Sequence, residues 1–225
     1  MRHAADRADV AIVTGDTKVV PRGKADQLFI NTSGVGTLGR FDPISGSSAR
    51  PGDKLLINGT IGDHGMAVLS CREGLELATP ICSDSAPLYD LVAALLGELG
   101  PDLHVLRDPT RGGVATTLKE IARQSGVEVT LDEACLPVNP AVAGVCSLLG
   151  LDPLYVANEG KLLTMVAPEA ANRALAVLRS HPLGRQAAVI GEVSEGKAGK
   201  VRMRTSIGGL RAIEMLSGEQ LPRIC

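Results

Sequence analysis

The chain has 225 residues, 44% apolar and 21% charged, a balance that excludes wholesale disorder and fits one large or two small globular domains. Lys and Arg number 23 against 25 Asp and Glu, a net charge of -2 without a dominant block of either sign, which argues against a polyanion as main partner. Four aromatic residues (Phe29, Phe41, Tyr89 and Tyr155) and no Trp leave little on which to stack nucleobases, so the reading is no nucleic-acid partner.

The first residues, Met1 to Arg7, carry charge but no apolar core, unlike a signal peptide, and no stretch reaches the length of a membrane span. The expected setting is cytoplasmic, with no membrane partner, so the Asn-x-Ser/Thr matches at Asn31 and Asn58 carry no glycosylation meaning. Val10–Thr14 reads as a short buried strand that delivers Thr14-Gly15-Asp16-Thr17-Lys18-Val19. A carboxylate and an amine two residues apart at a strand end can address a Mg²⁺-bound triphosphate, Asp16 through oxygen and Lys18 through charge. Spacing alone fits a plain polar turn better. Gln27–Asn31 reads as a second strand. Gly34-Val35-Gly36-Thr37-Leu38-Gly39 matches a dinucleotide fingerprint, but Arg40-Phe41-Asp42-Pro43 breaks the helix that such a site requires, leaving a glycine-rich bend. Residues 42–52, rich in Pro, Gly and Ser, read as a long loop that marks a domain boundary.

Beyond it, Lys54–Asn58 is a strand, and His64 in Gly62-Asp63-His64-Gly65 suits a helix start better than acid–base work. Leu88, Leu91, Val92, Leu95, Leu96 and Leu99 form one helical stripe, with Asp84 or Ser85 as cap and Gly100-Pro101 as stop. Asp108-Pro109-Thr110-Arg111-Gly112-Gly113 lies between the strand Leu103–Arg107 and a helix that ends at Gly126. It is either an anion cradle using Arg107 or Arg111, or a helix start whose glycines permit close packing. Val127–Leu131 is a strand and Pro140–Leu149 a helix. Asn158-Glu159-Gly160 precedes the strand Lys161–Ala167, where Glu159 is a general base if a pocket tunes it, or else an exposed turn residue. A helix over Glu169–Ser180 and a strand over Ala188–Val193 complete the list. Strands and helices alternate loosely, so the fold class is α/β or α+β with a mixed sheet. Cys71, Cys82, Cys135 and Cys146 read as reduced core residues. Cys225 differs, because a thiol on the last residue can swing into a site and out again.

Taken together, Thr14-Gly15-Asp16-Thr17-Lys18-Val19-Val20, Gly62-Asp63-His64-Gly65, Arg107-Asp108-Pro109-Thr110-Arg111-Gly112-Gly113, Ala157-Asn158-Glu159-Gly160-Lys161 and the ending Pro222-Arg223-Ile224-Cys225 resemble the HypE family. HypE proteins are maturation factors of nickel–iron hydrogenase, in the wider group of aminoimidazole ribonucleotide synthetase, selenophosphate synthetase and thiamine monophosphate kinase. The resemblance implies a two-domain synthetase-like architecture, a homodimer and ATP-dependent activation of an oxygen. It implies further that the carbamoyltransferase HypF loads a carbamoyl group on Cys225. Dehydration with ATP and Mg²⁺ then yields a thiocyanate, whose cyanide passes to iron on the HypC–HypD complex. In that scheme Asp16 binds the metal and nucleotide, Lys18 stabilises charge on the transferring group, and Glu159 removes an N–H proton. Arg111 and Asn158 contribute to the binding site, Asn158 by orienting the thiocarbamate.

The family begins further upstream, with a Gly-rich segment and strands bearing acidic metal ligands. Residues 1–46 are therefore expected to be the remnant of an incomplete ATP-binding domain with exposed strand edges. Residues 47–215 would form the C-terminal α/β domain, and 216–225 a tail carrying the reactive cysteine. The alternative function is a non-catalytic carbamoyl carrier and docking module. A kinase or synthetase of the same group is a further rival, which would not need a terminal cysteine.

Overall fold

The apolar runs of the chain assemble into one mixed sheet. The computed structural model describes residues 1–25, 28–37, 44–75 and 79–216. Its strands are β1 (Lys54–Ile57), β2 (Leu103–Arg107), β3 (Glu128–Asp132), β4 (Leu163–Val166), β5 (Ala188–Ser194), β6 (Lys200–Arg204) and β7 (Leu210–Ile213), in the order β2-β4-β1-β5-β3-β6-β7. Neighbours pair antiparallel, except β3 and β6, which run parallel from Glu128↔Lys200 to Asp132↔Arg204. β1 and β4 are covered on both faces, which is why they are mostly apolar: Leu55, Leu56, Ile57, Leu163 and Met165 are all fully buried.

The helices are α1 (Arg2–Arg7), α2 (Asp63–Arg72), α3 (Tyr89–Leu99), α4 (Gly113–Gln124), α5 (Pro140–Leu149) and α6 (Ala171–Ser180). On one face of the sheet, Leu56, Leu103 and Val166 pack with Leu91, Leu95 and Leu99 of α3 and with Ala174 and Leu178 of α6. On the other, Leu55, Ile57, Leu163 and Val129 pack with Val114, Leu118 and Ile121 of α4. A third cluster joins α2 to α5 through Met66, Leu69, Val142, Val145, Cys146 and Val156. The expected α/β class with a mixed sheet is realised, and each α3 stripe residue from Leu91 to Leu99 at helical spacing faces that core.

Several expectations are corrected. Val10–Thr14 and residues 28–31 are not strands: Val13 is 89% exposed and Phe29 71%, in chain without ladder partners among the described residues. A strand is stable only when a neighbour satisfies its backbone and a core takes its side chains, and no described strand lies beside these segments. Gln27, Leu38, Gly39 and residues 40–43 lie outside the described residues. The expected loop over 42–52 is partly docked: Ile44 packs against the α3–α6 face, and Ser125 Oγ donates to Gly46 O at 2.9 Å and accepts from Ala49 N at 3.2 Å. Neither Asp84 nor Ser85 caps α3, which starts at Tyr89 without a side-chain cap. Of the four internal cysteines only Cys146 is buried, because Cys71, Cys82 and Cys135 sit on a helix end, a loop and a short 3-10 turn. β6 and β7 were not anticipated, although Val201 and Met203 alternate inward between the charged Lys200, Arg202 and Arg204.

Ile57→Ala should cost about 2–5 kcal/mol in urea unfolding, whereas Val13→Ala should stay within about 0.5 kcal/mol. Burial, with a smaller contribution from Asp152, pushes the Cys146 thiol up to about 11. The folded thiol keeps its proton to higher pH than the unfolded one, so the stability it contributes is intact below about pH 9 and lost as pH rises toward 11. Peptide-mapped alkylation of native protein at neutral pH should modify Cys71, Cys82 and Cys135 and spare Cys146.

Candidate functional site

The register of the sheet gathers the candidate residues at one end. Ile57 of β1 and Arg107 of β2 both pair with Leu163 of β4. The segments that follow β1 and β2 therefore meet the one that leads into β4, so residues 58–65, 108–113 and 156–162 come together.

Asn158 ties these segments to one another. Its side chain is 1% exposed; Oδ1 accepts from Gly62 N at 2.8 Å, and Nδ2 donates to the carbonyls of Pro109 and Val156, each at 3.0 Å. Its own backbone N–H donates to Pro109 O at 3.3 Å. A second buried amide, Asn58, works beside it: Nδ2 donates to Gly160 O at 3.2 Å and Leu183 O at 3.0 Å, and Oδ1 accepts from Leu162 N at 2.8 Å. Polar groups so deeply buried must be paired, and here nearly every pairing fixes a loop backbone. Both Asn158 Nδ2 protons are spent on backbone carbonyls, so no side-chain donor is left for a thiocarbamate, and its geometry suits a framework role.

The glycines of Asp108–Gly113 serve packing. Gly112 (φ +71°) caps α4, and a Cβ on Gly113 (φ +63°) would overlap the carbonyl oxygens of Leu154 and Val156. Arg107 is occupied by Asp108 at 2.6 Å and Glu120 at 3.4 Å. Arg111 is exposed at the turn before α4 and makes no ion pair among the described residues.

Glu159 is half-buried, and its carboxylate has no hydrogen-bond or ionic partner among the described residues. Its backbone N–H is held by Asp84 Oδ1 at 3.1 Å. Asp84 in turn faces Lys161 Nζ across 3.2 Å, with side-chain exposures of 5% and 11%. His64 Nδ1 shares a 2.8 Å hydrogen bond with Ser83 Oγ. Sequence reasoning missed Asp84 and Lys161 as members of this cluster, since 77 residues separate them; the available signal was that a lysine leading into a buried strand needs a carboxylate near it.

Arg111, Asn158 and Glu159 are thus brought to one sheet edge. Asp16 and Lys18 make no bond to these three among the described residues: both are exposed, and Asp16 Oδ1 accepts from Thr17 N at 2.8 Å. Cys225 lies outside the described residues. Magnesium requires several oxygen ligands, and among the described residues no cluster of three or more Asp, Glu, His or Cys could hold a metal, so Asp16 alone does not fit a Mg²⁺ site here. An open depression of about 410 Å³, lined in part by Ile61, Glu133, Val138, Met203 and Arg211, contains none of the candidate residues. At its rim the Glu133 carboxyl is held below the ordinary range by the Ser206 N–H at 2.7 Å, with a smaller effect of Arg211. Among the described residues no helix is long and apolar enough to cross a membrane.

Asn158→Ala would strand Gly62 N–H and two carbonyls in the interior, so urea unfolding should show a loss of about 2–4 kcal/mol. Glu159→Gln should change stability by no more than about 0.5 kcal/mol, because the carboxylate holds nothing in place.

Comparison with known proteins identifies the family of the chain. Residues 50–204 match the family described as AIR synthase related protein, C-terminal domain. A Cupriavidus necator protein named carbamoyl dehydratase HypE is 59% identical across the whole chain, which spans 64% of that relative's length. The crystal structure of a HypE–HypF complex matches 96% of this chain and 70% of the other at 48% identity, with a TM-score of 0.92. A HypE crystal structure in complex with ATP matches 99% of this chain and 68% of the other at 50% identity, with a TM-score of 0.88. The chain belongs to the HypE family of hydrogenase maturation proteins, and its sheet is that family's AIR synthase related C-terminal domain.

Proposed function

We propose that this chain supplies the dehydrating half-site for a carbamoyl group carried on Cys225, converting it to a thiocyanate at the expense of ATP. The observation that carries the reading is Glu159: a half-buried carboxylate without a partner among the described residues, on a backbone that buried side chains hold in place. Such a group is free to take a proton and is not free to wander. The name carbamoyl dehydratase borne by the 59%-identical relative supports the reaction, and the ATP and HypF complexes of related proteins support the co-substrate and the loading partner.

In this reading the carbamoyl oxygen attacks the γ-phosphorus of ATP and ADP departs. Loss of the N–H protons, one of them to Glu159, and cleavage of the carbon–oxygen bond release phosphate and leave the nitrile on sulfur. The sum is Cys–S–C(O)NH₂ plus ATP giving Cys–S–C≡N, ADP and phosphate. Cys225 is the covalent carrier, Lys18 stabilises charge on the transferring group, and Arg111 offers its exposed guanidinium to phosphate oxygens. Asn158 acts by fixing the loop that bears Glu159. The nitrile would go to iron on a HypC–HypD complex, and the working form would be a cytoplasmic homodimer whose ATP-binding domain includes residues 1–46.

A second reading is favoured by one observation: Asp16 and Lys18 make no bond to the Glu159 cluster among the described residues, in a chain spanning 64% of its Cupriavidus necator relative. On that reading the chain carries and docks the carbamoyl group without dehydrating it. Incubation with HypF, carbamoyl phosphate and Mg-ATP, followed by weighing the C-terminal peptide, separates the two. Dehydration predicts a carbamoyl adduct that becomes one water lighter only with hydrolysable ATP, and that stays carbamoylated in Glu159→Gln. An adduct that forms and persists in the unaltered chain would establish the carrier and refute the dehydratase.

A further inference from the structure

We infer that Asp84 is the positioning residue that holds Glu159 for proton removal. Glu159 and Gly160 lie between the buried Asn158 and the first residue of β4, so their backbone has no ladder to fix it. Asp84 grips this stretch at three successive residues. Its Oδ1 accepts the Glu159 N–H at 3.1 Å, and its Oδ2 faces Lys161 Nζ at 3.2 Å. Its carbonyl oxygen occupies the space a Cβ on Gly160 would need, so only glycine permits the approach.

The grip is itself braced. Ser83 Oγ bonds His64 Nδ1 at 2.8 Å and accepts from Ser85 N at 3.2 Å, which joins the 83–85 turn to the first turn of α2. Asp84 Oδ2 is buried and makes no hydrogen bond, so Lys161 is the only charge compensating it among the described residues. A buried carboxylate with one ionic partner and one backbone donor has a single low-energy placement, and that placement fixes the loop. A general base must come within hydrogen-bond reach of its proton, and small misplacements cost orders of magnitude in rate.

The inference rests on Glu159 acting as the base, so its test has one arm that needs activity and one that does not. In single-turnover dehydration of the carbamoylated full chain, Asp84→Ala should slow the step about 100-fold with the ATP concentration at half-maximal rate changed less than about twofold. Asp84→Asn keeps an acceptor for the Glu159 N–H and should recover about tenfold of the loss. Because Asp84 acts through Glu159, the double variant Asp84→Ala/Glu159→Gln should be no slower than Glu159→Gln alone. An unchanged rate in Asp84→Ala, or losses that multiply in the double variant, would overturn the inference. If the unaltered chain does not dehydrate at all, the functional reading fails and the second arm decides the positioning. The Glu159 amide should exchange at least tenfold faster in Asp84→Ala than in the unaltered chain, with Asp84→Asn between them. Equal exchange in all three would refute the inference.

Discussion

The buried amide of Asn158 is the interaction on which the rest of the site depends. One side chain satisfies a donor after β1 and an acceptor after β2, and its own backbone leads toward β4. Each bond contributes only about 0.5–1.5 kcal/mol net, but leaving its partners unpaired in the interior costs more. The asymmetry makes the three loops a single unit: moving one breaks bonds in the other two. Asn58 and the glycines at positions 65, 113 and 160 extend the same unit, because the loops approach closer than any Cβ would allow.

Within that frame, two carboxylates near one another have opposite circumstances. Asp84 is desolvated, paired with the Lys161 ammonium through Oδ2 and committed to the Glu159 backbone N–H through Oδ1. Glu159 is half-buried, and its carboxylate is unpaired among the described residues. A carboxylate that makes structural bonds cannot readily give them up to accept a proton, and one without such bonds can. The division of labour separates structure from chemistry over adjacent positions.

Much of the fold was legible because helices and central strands depend on local periodicity. The Leu91–Leu99 stripe and the apolar Leu163, Met165 and Val166 of β4 could face only a core. The N-terminal runs failed for a physical reason: Val10–Thr14 has strand chemistry, but strand formation is decided by a neighbour, and none is described beside it. β6 was missed because Lys200, Arg202 and Arg204 alternate with only Val201 and Met203, and β7 because it is four residues long with only Ile213 buried, patterns that also suit a loop. At the site, Glu159 and Arg111 were legible as chemistry, whereas the framework role of Asn158 and the membership of Asp84 were not. Both depend on partners tens of residues away, which no local spacing encodes.

The loops bearing Glu159 are locked into the folded core through Asn158. Native-state hydrogen exchange at the Gly62 amide, which donates to Asn158 Oδ1, tests this coupling. This amide should exchange only by global unfolding, with the same urea dependence as core amides of β1 and β4. Exchange of Gly62 by a local opening insensitive to urea would contradict it, and would mean that the loops move independently of one another.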